Sequence, residues 1–156
     1  MKTISVKKGE ILQTKGELFT KIYTVESGLL RSYSIDFKLK EHIYTFAPES
    51  WLISDNCDVN EPCDLFIDAV EDSIIIVNDK EESMQIQDAI SLYKRIAVLQ
   101  KRIIMLMSAP ALVRYQDFLI TYPDIFQRIP LKMVASYIGI TPEALSRVRK
   151  ELSKGN

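Results

Sequence analysis

The sequence predicts an α+β protein in three parts: an all-β N-terminal half, one long helix, and a C-terminal helix-turn-helix. Three observations predict it. Short apolar and β-branched runs separated by polar turns fill the front of the chain. A stretch without Gly or Pro then extends from Met84 to Met107. Finally, "MVASYIGITPEALSRVRKEL" (Met133 to Leu152) sets a small Ala, a Gly and a Thr-Pro pair between apolar positions at helical spacing. The parts are bounded at 1–82, 83–108 and 109–156.

The runs "KIYTV", "LLRSYSI", "HIYTF", "LFIDAV" and "SIIIV" read as strands, and Gly9, Gly16 and Gly28 sit where one run gives way to the next. Many short strands with frequent turns indicate a β-sandwich or barrel. There is no Gly-rich phosphate loop and no alternation of strand with helix, which argues against a doubly wound nucleotide fold.

Composition narrows the function. With 156 residues, 47% of them apolar, the chain can bury one ordinary core or two small ones. No window is apolar enough to span a membrane, and "MKTISVKKGE" has no apolar stretch after its lysines. The two cysteines, Cys57 and Cys63, are expected as free thiols, and the expected location is cytoplasmic. The net charge of −1 hides a division. Through Tyr93 there are 9 Lys and Arg against 17 Asp and Glu; from Lys94 onward there are 11 against 4. A basic back half is suited to a polyanion. A metal-dependent barrel enzyme needs a His/Glu cluster, and a single histidine, His42, cannot supply one. No nucleophile–base constellation is available either, so no catalytic residue, no metal and no cofactor is expected.

In the long helix, Ala89, Leu92, Ile96, Leu99, Ile103 and Leu106 recur at spacings of 3, 4, 3, 4 and 3. A second apolar line, through Ile86, Ile90, Tyr93, Ala97, Ile104 and Met107, runs beside it. Two apolar lines have two clients, one of them expected to be the same helix in a second subunit. Pro110 ends this helix, and "ALVRYQDFLITY" begins another; "PDIFQRIP" reads as a loop leading to the C-terminal hairpin.

That hairpin has the features a helix-turn-helix requires. Two helices that cross closely need a small contact residue, which Ala135 supplies, and the turn needs a left-handed residue, which Gly139 supplies. Thr141 caps the second helix and Pro142 takes its first position, where a missing N–H is harmless. Leu145 and Val148 return that helix to the core, leaving Glu143, Ser146, Arg147 and Lys150 outward with Arg149 to one side. Arg147 can bond a guanine bidentately and Glu143 can accept from a cytosine amino group. Lys132, Arg149, Lys150 and Lys154 suit phosphates, which position a protein without specifying sequence.

"IPLKMVASYIGITPEALSRVRKEL" resembles the C-terminal DNA-binding segment of the Crp/Fnr family of bacterial transcription regulators. "VKKGEILQTKGE" with "IYTVESGLLRSYSID" resembles the family's opening β strands, and "AVEDSIIIV" its last ones. The resemblance covers nearly the whole chain. It implies an antiparallel, jelly-roll-like β-roll of the cyclic-nucleotide-binding type as a sensor, a dimerisation helix, and Glu143, Ser146 and Arg147 at base-contacting positions. It also implies a degenerate effector pocket. Members that bind cyclic AMP carry a Gly-Glu pair for the ribose and an Arg-Ser or Arg-Thr pair for the phosphate. Here Ser54-Asp55 matches the first and Cys63-Asp64 the second. Without that arginine the phosphate lacks its cation. Iron–sulfur members use four cysteines where this chain has two, and the family's usual wing hairpin and leading helices are expected to be missing or very short. The expected partners are double-stranded DNA, a second copy of the chain, and an unidentified small-molecule effector. The alternative is a sensor acting through protein partners, its DNA-binding part vestigial.

Overall fold

A computed structural model describes residues 2–80 and 89–154, with only the backbone given for 89–95. The chain divides into two compact units, Met1–Gln87 and Asp88–Asn156.

The first unit is wholly antiparallel, as its alternating runs predict. Its strands are β1 (Lys2–Val6), β2 (Ile11–Gln13), β3 (Lys21–Ser27), β4 (Leu30–Ile35), β5 (Glu41–Ala47), β6 (Leu52–Ile53), β7 (Phe66–Ala69) and β8 (Ser73–Asp79). They form two four-stranded sheets, ordered β1-β8-β3-β6 and β2-β7-β4-β5. Tyr23 and Val25 of β3, Leu30 of β4, Ala47 of β5, Ile67 and Ala69 of β7 and Ile75 of β8 make the core between them. The run "SIIIV" does not itself say which residues point inward. The pleat decides it: Ile75 is fully buried, whereas its neighbour Ile74 is 41% exposed.

Arg31 and Tyr33 alternate along β4 with the inward Leu30, so they turn to the other face, where they pair across strands with Asp68 and Phe66 of β7. The Arg31 guanidinium donates through Nε and Nη2 to the two Asp68 carboxylate oxygens (2.8 and 2.9 Å) and through Nη1 to Glu41 (2.6 Å). It also lies 4.2 Å from the centre of the Tyr33 ring, which stacks on Phe66. Burial opposes the charge on this guanidinium, but the Asp68 and Glu41 hydrogen bonds outweigh it and raise its pKa further. At the β3–β4 turn Gly28 has φ +96°, and a Cβ there would meet Ser73 Oγ at 2.2 Å and the Asp72 carbonyl at 2.8 Å. Only glycine satisfies both demands.

The second unit holds α1 (Ala89–Ser108), α2 (Ala111–Thr121), a 3-10 turn (Ile125–Gln127), α3 (Leu131–Tyr137) and α4 (Pro142–Lys154). The stretch 83–88 of the expected long helix lies outside the described residues. Pro110 and Pro130 stand immediately before α2 and α3 with extended backbone, where a proline suits the entry to a helix. "PDIFQRIP" is more than a connecting loop. Its 3-10 turn buries Ile125, and Ile129 is buried after it.

Candidate nucleic-acid interface

The hairpin of α3 and α4 is closed by its own backbone. Ile138, Gly139 and Ile140 donate their N–H groups to Val134 O (3.0 Å), Ser136 O (3.2 Å) and Ala135 O (3.0 Å), so the last carbonyls of α3 are used in the turn. Gly139 takes φ +69°. Thr141 Oγ1 then accepts the Ala144 N–H at 3.2 Å, capping α4, and Pro142 is the first residue of that helix.

Under the hairpin, Val134, Ala135, Ile138, Leu145 and Val148 are all buried. Three rings hold its far side: Phe118 and Tyr122 lie 5.5 Å apart, and each packs against Tyr137 of α3, at 5.5 and 5.4 Å. Burial pushes the Tyr137 phenol well above its ordinary pKa. Two arginines finish the turn. Arg102 of α1 lies 4.0 Å over the Tyr137 ring and donates to the Tyr137 carbonyl, and Arg114 of α2 donates to the carbonyls of Ala109 and Ile138. Sequence reasoning missed both, counting them only among the basic residues of the back half; carbonyls left over at the end of α3 were the one available signal.

What remains exposed is a single face. Glu143, Ser146, Arg147, Lys150 and Lys154 are all exposed and recur along α4 at helical spacing. The Glu143 carboxyl is held below its usual pKa by its own backbone N–H, by Thr141 and by Arg147. Lys132 is exposed on α3. Arg149 is exposed too, but its guanidinium lies 5.3 Å from the centre of the Phe126 ring and opposes the raised pKa that burial gives Tyr115. Of the seam on α1, Ile96 and Ile103 are 51% and 57% exposed, and Leu99 and Leu106 are half-buried. Ala89 and Leu92 lie on the helix, but their side chains are outside the described residues.

The four residues expected in an effector pocket follow β6 and precede β7, and the structure brings only two of them together. Asp55 is buried and Cys63 is buried beside it; burial, with the Asp55 carboxylate adding to it, raises the thiol pKa against the backbone hydrogen bonds of Glu17 and Gly16, which lower it. The Ser54 hydroxyl is turned to the Asp55 carbonyl (2.7 Å), and Asp64 is exposed. Three residues not expected from sequence complete the site. Lys80 Nζ donates to Asp55 Oδ1 (2.5 Å) and the Cys57 carbonyl (2.8 Å), Gln13 Nε2 donates to Asp55 Oδ2 (2.7 Å) and the Leu65 carbonyl (2.8 Å), and Thr20 Oγ1 reaches Asp55 Oδ1 at 3.4 Å. No group of three or more metal-ligating side chains occurs among the described residues, and no described helix is long and apolar enough to cross a membrane.

No family model and no curated protein matches the chain. Solved structures do. FixK2 from Bradyrhizobium japonicum is similar at 18% identity over 99% of this chain and 85% of that one, with a TM-score of 0.77. A transcriptional regulator of the CRP/FNR family from Thermus thermophilus is similar at 18% identity, over 99% and 87% of the two chains, with a TM-score of 0.78. The c-di-GMP-responsive global regulator CLP from Xanthomonas campestris is similar at 12% identity, over 99% and 87%, with a TM-score of 0.73. The chain has the fold of CRP/FNR transcriptional regulators. In that fold the first unit corresponds to the antiparallel β domain that the sequence predicts, and the α+β class holds for the whole chain.

Proposed function

We propose that the chain is a homodimeric, sequence-specific DNA-binding transcription regulator of Crp/Fnr type that does not respond to cyclic AMP. The observation that carries the reading is the division of α4 within a CRP/FNR fold: Leu145 and Val148 are buried, and Glu143, Ser146, Arg147, Lys150 and Lys154 share the exposed face. Glu143, Ser146 and Arg147, near the start of the second helix of a helix-turn-helix, read base edges in the major groove. Lys132, Lys150, Lys154 and Arg149 bind phosphates. The half-exposed Ile96 and Ile103 of α1 meet a second copy, which gives the twofold arrangement that reads a palindrome. The protein works in the cytoplasm.

Two features support the cyclic AMP statement. Cys63 stands where the resemblance places the arginine a cyclic phosphate needs, and the Asp55 carboxylate is already taken by Lys80 and Gln13. Selection of bound sequences from random DNA tests the reading, with the expected outcome a palindrome whose half-sites lie about one helical turn apart. Arg147→Ala is then expected to flatten preference at one position of each half-site, at a cost of about 1–3 kcal/mol. Full sequence preference in that variant would reassign the reading residue, and failure of the wild-type chain to enrich any sequence at low salt would sink the regulator reading in favour of action through protein partners.

A further inference from the structure

The Asp55–Lys80 ion pair is the most deeply buried pair of opposite charges among the described residues, with side chains 2% and 6% exposed. Such a pair is a poor source of stability, because desolvating both ions offsets their attraction. Its surroundings show what the site prefers. Around the Lys80 ammonium stand Asp55 Oδ1 and the Cys57 carbonyl, and Thr20 and Gln13 complete the carboxylate. The orientation of the Gln13 amide is settled by its two acceptor partners, Asp55 Oδ2 and Leu65 O, so its donor end faces them. Its Oε1 is thereby left as a buried acceptor with no partner. Without the Lys80 ammonium the site would present the buried Asp55 carboxylate and the Cys57 carbonyl with no cation between them. Such a site repels phosphates and carboxylates and takes a group that carries positive charge and several donors, which an ammonium does.

The position of the two residues gives the pair a second property. Asp55 and Cys57 follow β6, whereas Lys80 comes directly after β8, the last strand of the unit. The bond thus fastens the end of the unit's last strand to the loop after β6. We propose that the interior of the β unit is an ammonium site, filled in cis by Lys80, and that this internal ligand holds the chain in its DNA-binding form without a diffusible effector. The proposal rests on the regulator reading above.

The experiment is Lys80→Ala in the full chain, with n-propylammonium added as the missing part of the side chain and 1-propanol as its uncharged control. Propylammonium is expected to raise the melting temperature of Lys80→Ala and leave the wild type unmoved, with 1-propanol inert on both. Affinity for the selected DNA is expected to fall by about tenfold or more in Lys80→Ala, within the range of ordinary allosteric couplings, and to return with propylammonium. Propylammonium acting no better than 1-propanol overturns the ammonium site. A folded Lys80→Ala that holds DNA as tightly as the wild type overturns the regulatory role. If Lys80→Ala does not fold, the double variant Asp55→Leu, Lys80→Met decides, since it leaves no unpaired charge in the interior. Wild-type melting with about tenfold weaker DNA binding supports the proposal; unchanged DNA binding, or failure to fold, reduces the pair to a structural support. If the wild type selects no DNA at all, the regulator reading fails separately, and the amine-dependent melting of Lys80→Ala still decides the site.

Discussion

Substitutions at Gly139 separate backbone strain from crowding in the turn between α3 and α4. The residue has φ +69°, and a Cβ added there would lie 3.5 Å from Arg114 Nη1 and 3.6 Å from Leu106 Cδ2. Those are ordinary van der Waals distances, so space adds nothing to the cost. The left-handed backbone remains, at about 1–2 kcal/mol for a residue with a Cβ. Gly139→Ala regains a few tenths of that by restricting the unfolded chain, for a net loss of about 1 kcal/mol. Asn, whose side chain bonds locally in this region, is expected to cost less. Val, β-branched and seldom found at positive φ, is expected to cost up to about 3 kcal/mol. For a unit of this size each kcal/mol lowers the midpoint by about 4–8 °C, so differential scanning calorimetry of the second unit's transition orders the three. The expected order of damage is Asn, then Ala, then Val. A Val variant no worse than Ala would refute the backbone argument. At Gly28, where positive φ combines with a 2.2 Å approach to Ser73 Oγ, the Ala variant is expected to cost more than at Gly139.

Arg31→Met leaves the Asp68 side chain, 10% exposed, without its guanidinium, and is expected to cost about 3–5 kcal/mol in urea denaturation of the β unit. The double variant Arg31→Met, Asp68→Leu is expected to recover most of it, and a double no better than the single would show that the loss comes from the Tyr33 packing instead. Burial, with Glu17, Asp55 and Cys63 adding to it, pushes the Tyr23 phenol from 10.0 to about 12. Because the folded value lies above the unfolded one, its contribution is whole below pH 10 and is lost as pH rises to 12. Urea midpoints of the β unit are therefore expected to fall across that window. Tyr23→Phe flattens the slope while losing the hydrogen bond to the Leu12 carbonyl, and an equal slope in both proteins would assign it elsewhere.

Much of the architecture is legible in local chemistry. Runs with period two become antiparallel strands, and each of the five runs named in the sequence contains or overlaps one. The short β2 and β6, three and two residues long, have no period to read, and their pairing with β7 and β3 is decided by contacts far away in sequence. The hairpin of α3 and α4 is legible because each of its requirements is local. Gly139 has the backbone its position demands and Thr141 caps the helix that Pro142 begins. The pocket was legible only as a loss. Sequence marks Ser54-Asp55 and Cys63-Asp64 as departures from a cyclic-nucleotide site, but Lys80, the buried partner of Asp55, is twenty-five residues beyond it and reads there as a polar strand end. Long-range electrostatic pairs leave no periodic trace.

The same limit bears on how basic charge is counted. Eleven cations after Tyr93 suggest a broad polyanion surface, yet the structure divides them by task. Arg102 and Arg114 donate to backbone carbonyls at the end of α3, so their charge serves the turn that presents α4 rather than a ligand. Arg149 spreads over Phe126, where a guanidinium can stack and still keep donors toward water. Lys132, Arg147, Lys150 and Lys154 are left as exposed cations of the hairpin. A regulator that bound DNA through all its basic residues would gain affinity without discrimination, because phosphate contacts are blind to sequence. With the two arginines held at the turn, the proposed reading leaves discrimination between bases to Arg147 and its neighbours on the exposed face of α4.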